Sequence, residues 1–292
     1  MVKYTRKVGG NMTIMEAIKK GMIELKNANI ETPKLKARLL MQFTLNKPRQ
    51  YIIVNDLNEL TVKEENQYFS AIKKMRQGVP LEHITHQREF MKLNFFVNEN
   101  VLIPRQDTEI LVEEVINIAK KTNAKTILDL CTGSGAIAVA LAKYLPNTEI
   151  TAVDISQAAL KVAKKNAISN EVENQITFIS SDLFTNLENQ KFDIIVSNPP
   201  YIKQAVMKDL DKEVKMEPEL ALNGGKDGLY FYRKIVSGAY QYLKYKGYVC
   251  LEIGFDQKID VIELIENEEK FENTYSKKDL YNNDRIIVTR LM

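Results

Sequence analysis

The segment "ILDLCTGSGAIAVALA", residues 127–142, decides the fold. Its apolar first residues predict a buried strand, and its alanine-rich second half predicts a helix. Between them, Gly133 and Gly135 allow the backbone to turn tightly and to approach a ligand closely. A strand, a glycine loop and a helix in this order are typical of a sheet that binds a ligand at the carboxyl ends of its strands.

Strand and helix patterns alternate throughout the C-terminal part of the chain, from Thr108 onward. Helices are predicted over residues 108–121, 136–145, 156–169 and 229–243. Strands are predicted at "TILDL", "EITAVDI", "ITFIS", "FDIIVSN", "YVCLEI" and "RIIVTRL". This alternation predicts an α/β fold with a parallel, doubly wound sheet.

The N-terminal part, from Thr13 to about Gly78, has helical periodicity instead. Thr32 before Pro33 predicts an N-cap and a helix start. Thr61, with Glu64 three residues later, predicts a capping box. Apolar residues at helical spacing include Ile14, Ile18, Met22 and Leu25. These patterns predict a small helical bundle.

The β-rich stretch "REFMKLNFFVNENVLIPR", residues 88–105, lies between the two parts and is broken by "NEN". This pattern predicts a β-hairpin that links them. The predicted organisation is an arm that could be disordered, a helical domain, a hairpin linker and an α/β domain. Their ranges are 1–11, 12–85, 86–107 and 108–292.

Positive charge is concentrated in the first 80 residues, which contain 15 Lys and Arg against 7 Asp and Glu. The remaining residues contain 26 against 31. A basic N-terminal part suits an acidic partner or RNA. A solvated helical surface explains the same charges without any partner.

The composition favours a cytoplasmic protein. Cys131 and Cys250 are its two cysteines, and without a CxxC they give neither a disulfide framework nor a zinc pattern. The longest uncharged apolar run, "AIAVALA", is too short to cross a bilayer. The basic N-terminus lacks the apolar segment of a secretory signal.

Three acids that follow predicted strands are candidate ligand-binding residues. Asp129 ends the first strand, and Asp182 follows the third. Asp154 ends the second strand, 19 residues after Gly135, where an acid can accept both hydroxyls of a ribose. We expect all three to line one crevice, with Asp182 near an adenine amino group, unless they are turn and cap acids. A dinucleotide stays open, because the G-x-G-x-x-G/A fingerprint permits Ala138.

The segment "SNPPYI", residues 197–202, ends a predicted strand with two prolines, which cannot donate to a strand ladder. The Asn198 side-chain oxygen and the Pro199 carbonyl can accept hydrogen bonds from both N–H groups of a planar NH₂. They would favour charge that develops on its nitrogen, and the rigid prolines hold them in place. Tyr201 offers a flat face for stacking. A Pro-Pro turn that merely caps the strand is the alternative.

The order D-x-x-x-G-x-G, D, S-D and N-P-P-Y resembles the Rossmann-like S-adenosylmethionine-dependent methyltransferases. The resemblance implies that the methyl group moves in line from sulfonium to nitrogen, with no metal required. N-P-P-Y is shared by enzymes that methylate the exocyclic amine of adenine and by enzymes that methylate the side-chain amide of glutamine. The tetrapeptide therefore does not choose between these substrates.

Further motifs closely resemble the HemK/PrmC family, the peptide chain release factor glutamine methyltransferases, over nearly all of residues 12–292. They are "GVPLEHI" (78–84), "REF" (88–90), "LIPRQDTEILVE" (102–113), "DLCTGSGAIAVALA" (129–142), "AVDIS" (152–156), "FDIIVSNPPYI" (192–202), "EPELAL" (217–222), "GGKDGLYFYRKI" (224–235) and "LEIGFDQ" (251–257). "PRQDTE" and "EPxxAL…DGL" beside N-P-P-Y are far more specific than N-P-P-Y alone.

The resemblance implies a Rossmann-like seven-stranded methyltransferase domain with a β-hairpin linker and a small N-terminal helical bundle that binds substrate. It implies that Asn198, Pro199 and Tyr201 are catalytic. It also implies that residues 198–201, which include Pro200, hold the substrate glutamine. The residues expected at S-adenosylmethionine, which becomes S-adenosylhomocysteine, are Asp129, Cys131, Thr132, Gly133, Ser134, Gly135, Asp154, Asp182, Leu183 and Asn198.

Some positions near these motifs have open roles. Leu183 stands where relatives often have a large aromatic residue near the adenine, and an aliphatic side chain can still pack on the ring. Arg105 and Glu217 could order the loop over the cofactor or merely pair at the surface. Three neighbouring aromatic residues are expected to serve helix packing: Tyr230, Phe231 and Tyr232.

The family acts on the glutamine of the Gly-Gly-Gln loop of class I release factors. We expect a monomer with no membrane association and no specific DNA binding. The alternatives are a glutamine methyltransferase of a ribosomal protein, an adenine-specific DNA methyltransferase and a non-catalytic nucleic-acid-binding module. The DNA enzyme usually needs a target-recognition region, and only 91 residues follow Tyr201. A pure binding module needs none of the glycines, acids or Asn198.

Overall fold

The computed structural model describes residues 11–188 and 190–292. The chain divides into two compact units between Thr85 and His86. We refer to residues 11–85 as the helical unit and to the described residues from His86 to Met292 as the sheet unit. The arm predicted over residues 1–11 lies outside the described residues except for Asn11.

The helical unit consists of five helices around an apolar core. They are α1 (Ile14–Asn27), α2 (Pro33–Leu45), α3 (Arg49–Val54), α4 (Val62–Arg76) and α5 (Leu81–Thr85). The largest completely buried side chains are Leu25, Leu40, Met41, Leu60, Tyr68, Ile72 and Met75. The Tyr68 hydroxyl donates to the Ala37 carbonyl at 3.2 Å, so this polar group is paired in the core. The helical bundle predicted from periodicity is confirmed.

The two helix starts predicted in the helical unit differ in their caps. At α4, Thr61 Oγ1 accepts from the Glu64 N–H at 3.3 Å, and Glu64 Oε2 accepts from the Thr61 N–H at 2.8 Å. α2 begins at Pro33 as predicted, but Thr32 makes no side-chain cap hydrogen bond. Its φ of 48° is left-handed, whereas an N-cap side chain acts from an extended backbone. The prediction that Thr32 caps α2 is therefore wrong.

Alanine substitutions at the two threonines test this difference. Thr61→Ala removes the hydroxyl that accepts from Glu64 and should lower the free energy of unfolding by about 1 kcal/mol. Thr32→Ala removes no cap bond and should change it by less than about 0.5 kcal/mol. Urea unfolding of the helical unit measures both values, and equal losses would contradict the difference between the caps.

The sheet unit combines a two-stranded hairpin with a seven-stranded sheet. Its strands are β1 (Arg88–Phe90), β2 (Leu93–Phe95), β3 (Thr126–Leu130), β4 (Glu149–Asp154), β5 (Ile176–Ser180), β6 (Phe192–Ser197), β7 (Leu243–Glu252), β8 (Phe271–Lys278) and β9 (Asp284–Leu291). Its helices are α6 (Asp107–Thr122), α7 (Ala136–Tyr144), α8 (Gln157–Ser169), α9 (Tyr230–Ala239) and α10 (Lys258–Glu266). The large sheet has the strand order β5-β4-β3-β6-β7-β9-β8.

The hairpin of β1 and β2 is confirmed, but its turn is Met91–Lys92 and not the "NEN" segment at 98–100. Both turn residues have positive φ, 50° and 58°, as a two-residue type I′ turn requires. The Glu109 side chain accepts from the Met91 N–H at 2.7 Å, and the Tyr144 hydroxyl donates to the Met91 carbonyl at 2.7 Å. These tertiary contacts hold a turn that lacks the usual asparagine or glycine.

The seven-stranded sheet is parallel except at β9. This strand pairs antiparallel with both β7 and β8, so the fully parallel sheet predicted from the alternation is corrected at this edge. The predicted pattern contains neither α10 nor β8. β8 is an edge strand, "FENTYSKK", with no fully buried residue. It lacks the apolar run that marks a buried strand, because only part of its surface meets the core.

The strand order places a topological switch point at β3, which pairs with β4 on one side and β6 on the other. The carboxyl ends of these parallel strands therefore meet at one edge of the sheet. Ile127 and Ile194 belong to one apolar core, and Leu128 and Ile195 belong to a second. Helices cover both faces, which is the usual environment of parallel strands.

Two features are absent from the part of the chain that the structure describes. Within residues 11–188 and 190–292, no helix has the length and apolar character needed to cross a membrane. The same residues contain no group of three or more His, Cys, Asp or Glu side chains placed to hold a metal ion.

Candidate active site

A cavity of about 280 Å³ opens where the carboxyl ends of β3, β4, β5 and β6 meet. Its walls include Cys131, Gly133, Asp154, Asp182 and Asn198, which come from the ends of these four strands. The volume lies just below the usual range for small-molecule pockets, about 300–1,000 Å³. One ligand in this cavity would contact the loops of four neighbouring strands.

The loop after β3 needs its two glycines for different reasons. Gly133 and Gly135 both have positive φ, 54° and 77°. A Cβ at position 133 would meet nothing nearer than the Cys131 carbonyl at 4.0 Å. A Cβ at position 135 would lie 2.9 Å from the Ala163 Cβ in α8. Gly133 therefore permits the turn, and Gly135 permits both the turn and the close packing of the loop on α8.

The remaining residues of this loop divide between the cavity wall and its support. Cys131 lines the cavity, and burial, followed by Asp154, raises the pKa of its thiol. Thr132 and Ser134 are buried and lie behind the wall. The Thr132 N–H donates to the Val153 carbonyl at 2.9 Å, which ties the loop to the neighbouring strand.

Asp129 is completely buried at β3 and does not line the cavity. Its Oδ2 accepts from the Thr132 hydroxyl at 2.6 Å. Its Oδ1 has no hydrogen-bond partner among the described residues. Burial raises the pKa of Asp129 to about 7, although the Thr132 bond acts in the opposite direction. Of the three acids expected to line one crevice, only Asp154 and Asp182 do so.

Asp154 lines the cavity at the end of β4 and fixes the glycine loop. Its Oδ2 accepts from the Gly133 N–H at 2.8 Å, and its Oδ1 accepts from the Ser156 N–H at 2.8 Å. Burial raises its pKa, and these backbone hydrogen bonds act in the opposite direction. A carboxylate has about four acceptor sites, so each oxygen can still accept one hydroxyl of a diol.

Asp182 and Leu183 form the wall after β5. Asp182 Oδ2 pairs with Lys234 Nζ at 3.3 Å, and both side chains are exposed. Leu183 is buried with a φ of 48°, a left-handed conformation that is strained for a leucine. Leu183 lines the cavity and presents an aliphatic surface to it.

The aromatic surface of the cavity comes from α9. Tyr230 and Phe231 line the cavity, with ring centroids 5.1 Å apart and an interplanar angle of 88°. Tyr232 is completely buried, and its hydroxyl donates to the Glu252 carbonyl at 2.9 Å. The expectation that all three serve helix packing is met by Tyr232 but is wrong for Tyr230 and Phe231, because the start of α9 lies at the cavity.

An ion pair joins the "PRQDTE" and "EPELAL" segments. Arg105 Nη2 lies 2.5 Å from Glu217 Oε1, and Glu217 Oε2 accepts from the Ile103 N–H at 2.9 Å. The Glu217 side chain is only 2% exposed, so the pair is not a simple surface contact. Leu102 and Pro218, next to these residues, both line the cavity. The pair therefore connects two segments of the cavity wall.

The N-P-P-Y segment begins directly after β6. Asn198 and Pro200 line the cavity, while Pro199 is buried and the partly exposed Tyr201 is not part of the wall. Asn198 Nδ2 donates to the Thr108 hydroxyl oxygen at 3.2 Å. Because one amide N–H donates to Thr108, the Asn198 side-chain oxygen remains available as an acceptor.

A glycine-rich loop and a buried glutamine hold this segment in place. Gln257 Nε2 donates to the Tyr201 carbonyl at 3.1 Å and to the Gly228 carbonyl at 3.2 Å. A Cβ on Gly224 would lie 2.7 Å from the Tyr201 Cα, and one on Gly228 would lie 2.5 Å from the Tyr201 carbonyl oxygen. Only glycine permits the loop to approach so closely.

The residues that support the N-P-P-Y segment have no role that the sequence alone predicts. The glycines stand in "GGKDGL", and Gln257 stands in "LEIGFDQ", both of which carried the family resemblance. Those motifs were a usable signal for Gly224, Gly228 and Gln257. Thr108 had a similar signal in "PRQDTE", but nothing in its spacing indicated contact with Asn198.

The fold and the site together define a Rossmann-like methyltransferase. The family model of the methyltransferase small domain matches residues 105–220, and that of the PrmC N-terminal domain matches residues 16–85. Among solved structures, the hMettl16 catalytic domain has a TM-score of 0.56 and 15% identity, and the match covers 71% of this chain and 79% of that one. At this identity the likeness is one of fold.

Two relatives are named release factor glutamine methyltransferase. The Clostridium botulinum protein is 39% identical over 282 residues, which is 96% of this chain and 99% of that protein. The Clostridium acetobutylicum protein is 39% identical over 280 residues, which is 95% of this chain and 98% of that protein. The chain belongs to the HemK/PrmC family of release factor glutamine methyltransferases.

Alanine substitutions at Gly133 and Gly135 distinguish the two reasons why the loop needs glycine, which are its left-handed turn and its close packing on α8. Gly135→Ala introduces both a left-handed alanine and a clash with Ala163, and should lower the free energy of unfolding by more than about 2 kcal/mol. Gly133→Ala, the matched control, introduces only the left-handed alanine and should cost about 1 kcal/mol. Urea unfolding measures both, and an equal or reversed order would contradict the packing of the loop on α8.

Proposed function

We propose that this protein transfers a methyl group from S-adenosylmethionine to the side-chain amide nitrogen of the glutamine in the Gly-Gly-Gln loop of class I peptide chain release factors. The modification would modulate translation termination. The observation that carries the proposal is the position of Asn198, which lines the same cavity as Gly133 and Asp154. Membership of the family favours a glutamine amide as the planar NH₂ group.

The residues around the cavity suit S-adenosylmethionine, which supplies an electrophilic methyl group on a sulfonium. Asp154 can accept both ribose hydroxyls with its remaining acceptor sites. Asp129 and Asp154 flank the glycine loop, and negative charge there would repel the pyrophosphate of a dinucleotide and attract a sulfonium or an ammonium group. Leu183 and Phe231 offer apolar surface for the adenine ring.

The candidate cofactor residues divide by their position. We assign direct contact to those that line the cavity: Cys131, Gly133, Asp154, Asp182, Leu183 and Asn198. We assign support of the loop to those behind the wall: Asp129, Thr132, Ser134 and Gly135. We assign to Arg105 and Glu217 the connection of the two wall segments above the ligand.

Asn198, Pro199 and Tyr201 act on the substrate amide. The Asn198 side-chain oxygen and the Pro199 carbonyl accept from its two N–H groups, Tyr201 stacks on its plane, and Pro200 keeps the turn rigid. Positive charge develops on the nitrogen as the C–S bond breaks and the C–N bond forms, and both acceptors stabilise it. The nitrogen then releases one proton to solvent. Positioning and electrostatics carry this chemistry.

An adenine-specific DNA methyltransferase would use the same acceptors, but it usually needs a target-recognition region. In the described part of the chain, residues 230–291 form α9, β7, α10, β8 and β9, which complete the sheet. The longest described segment after Tyr201 outside these elements is residues 202–229, and it includes the loop that packs on the N-P-P-Y segment. We therefore favour a protein substrate, and we propose a cytoplasmic monomer without specific DNA binding. The labelling experiment described next distinguishes a glutamine of a ribosomal protein from the glutamine of a release factor as the substrate.

A labelling assay tests the proposed function. Labelled S-adenosylmethionine is offered with a class I release factor, the same factor with its loop glutamine changed to alanine, ribosomal proteins and duplex DNA. Label should appear on the first alone. Asn198→Ala should slow transfer at least about 100-fold, because it removes one preorganised hydrogen-bond partner.

Asn267→Ala, at an exposed position after α10, is the control and should transfer at the normal rate. Label on DNA or on ribosomal proteins would contradict the proposed substrate and would identify the labelled molecule as the substrate instead. Undiminished label on the alanine factor would refute the proposed target atom.

We further propose that the helical unit is the substrate-binding domain. A groove of about 400 Å³ is lined by apolar side chains that include Met15, Ile18, Met22, Ile52 and Ile53. The charged side chains that line it are Lys19, Lys34, Arg38, Arg49 and Asp56. An apolar groove bordered mainly by cations suits an acidic, amphipathic segment of a partner.

Charge reversal tests this role of the helical unit. Changing Lys19, Lys20, Lys34 and Lys36 to glutamate should slow association with the release factor and flatten its dependence on salt, because the steering field is removed. Stopped-flow association at several ionic strengths measures both effects. The matched control reverses four lysines of the sheet unit: Lys120, Lys121, Lys161 and Lys164. Equal behaviour of the two variants would contradict a local role.

A further inference from the structure

The register of β6 and β7 places a buried acid beside Asn198. Ser197 pairs with Leu251 in these parallel strands, so the next residues, Asn198 and Glu252, lie side by side where the strands end. Glu252 is only 1% exposed, and its Oε2 has no hydrogen-bond partner among the described residues. A buried carboxyl oxygen without a partner lowers stability, and the reaction proposed above gives Glu252 no role.

Thr108 completes this cluster from the first turn of α6. It is buried, and its hydroxyl oxygen accepts from Asn198 Nδ2 at 3.2 Å. The Thr108 hydroxyl and the Asn198 amide both lie close enough to Glu252 to favour its ionised form. The three side chains therefore form one polar group that extends from Asn198 at the cavity wall to the buried Glu252.

Charged and titratable groups from several elements face Glu252. Arg285 in β9 favours its ionised form, and Asp107 in α6 disfavours it. Arg285 Nη2 is already paired with Asp107 at 3.2 Å and with Asp279 at 2.9 Å. Tyr201 and Tyr232 also lie near, and burial, with Glu252 among the lesser causes, raises the pKa of both phenols. Both tyrosines are therefore neutral in the range where Glu252 titrates.

We propose that Glu252 is a positioning residue that acts through Thr108 to keep the Asn198 side-chain oxygen turned toward the substrate amide. This inference rests on the proposed function. An ionised carboxyl can only accept, so Thr108 donates its proton to Glu252. The Thr108 oxygen then accepts from Asn198, which must use an N–H there. The Asn198 oxygen is left for the substrate.

Protonation of Glu252 reverses this chain of hydrogen bonds. The protonated carboxyl donates to the Thr108 oxygen, and the Thr108 proton is then donated to the Asn198 oxygen. The Asn198 amide consequently turns its N–H groups toward the substrate, which also carries N–H groups. Two donors facing each other cannot form a hydrogen bond, so one of the two acceptors on which methyl transfer depends is lost.

The titration of Glu252 falls close to neutral pH. Burial raises its pKa to about 7, while the Thr108 hydroxyl, Arg285 and the Asn198 amide act in the opposite direction. Glu252 is therefore ionised above about pH 7 and becomes protonated as the pH falls through that value. The orientation of Asn198 that supports transfer is present on the alkaline side and is lost on the acid side.

Single-turnover transfer to the release factor as a function of pH tests the inference. S-adenosylmethionine and the factor are kept at saturating concentrations. A change in their binding that results from titration of Asp129 or Asp154 then leaves the measured rate of transfer unchanged. The rate of the unchanged protein should fall about tenfold per pH unit on the acid side of a midpoint near 7. Glu252→Gln should remove this acid limb. It should also lower the rate at about pH 8 at least about tenfold, because its amide donates to Thr108 as the protonated acid does.

Variants of Thr108 test the same chain of hydrogen bonds, because Thr108 connects Glu252 to Asn198. Thr108→Val removes the hydroxyl and should give the same loss with a flat profile, whereas Thr108→Ser keeps the hydroxyl and should keep the acid limb. The double variant Thr108→Val/Glu252→Gln should be no slower than the slower single variant, because both break one chain. If Glu252→Gln does not fold, the two Thr108 variants carry the test.

Glu114→Gln is the matched control, since Glu114 is a buried acid of α6 bound by Tyr275 and Lys277, away from Asn198. It should keep the acid limb. A normal rate and a retained acid limb in both Glu252→Gln and Thr108→Val would overturn the inference and leave the proposed function standing. Absence of transfer by the unchanged protein at every pH would refute the proposed function and the inference with it.

Discussion

The turn formed by Asn198, Pro199, Pro200 and Tyr201, at the rim of the sheet, is the constraint on which the proposed chemistry depends. The prolines end β6 because they cannot continue its ladder. Gln257 fixes the Tyr201 carbonyl at 3.1 Å, and the loop with Gly228 closes against the same backbone. The backbone of this turn is thus fixed when the chain folds, and under the proposed function this would place both acceptors for the substrate amide with little reorganisation.

The same edge of the sheet contains acids that oppose folding near neutral pH. Burial raises the pKa of Asp129 and of Glu252 to about 7 each, while unfolded carboxyls titrate near 4. The unfolded state therefore releases these protons first, and the contribution of both groups to stability falls as the pH rises from about 4 to about 7. Perturbed acids are typical of functional sites. A cationic ligand near Asp129 would offset part of this loss.

How much the sequence predicts depends on how local the signal is. β3, β4 and β6 are apolar runs between clear breaks, and Asp154 and Asn198 follow them directly, so strands and candidate residues were predictable together. β8 is a polar edge strand and left no such run. The φ of Thr32 is set by the chain around it, which a capping pattern does not contain.

The supporting residues of the site were the least accessible to sequence reasoning. Thr108, Glu252 and Gln257 lie on different parts of the chain. They meet at the N-P-P-Y segment only because β6 and β7 pair in one register and α6 packs beside them. Likewise, nothing in the periodicity of α9 distinguishes Tyr230 and Phe231, which line the cavity, from Tyr232, which is buried. Periodicity predicts which face of a helix is apolar, but it does not say whether that face meets a core or a cavity.

The most direct test of the central claim is a crystal structure of the protein with S-adenosylhomocysteine and a peptide that contains the Gly-Gly-Gln loop. Our prediction is that the glutamine side-chain nitrogen lies about 3 Å from both the Asn198 Oδ1 and the Pro199 carbonyl oxygen. It would be contradicted by a glutamine nitrogen beyond hydrogen-bond distance of both oxygens, or by an Asn198 that presents its Nδ2 to the substrate.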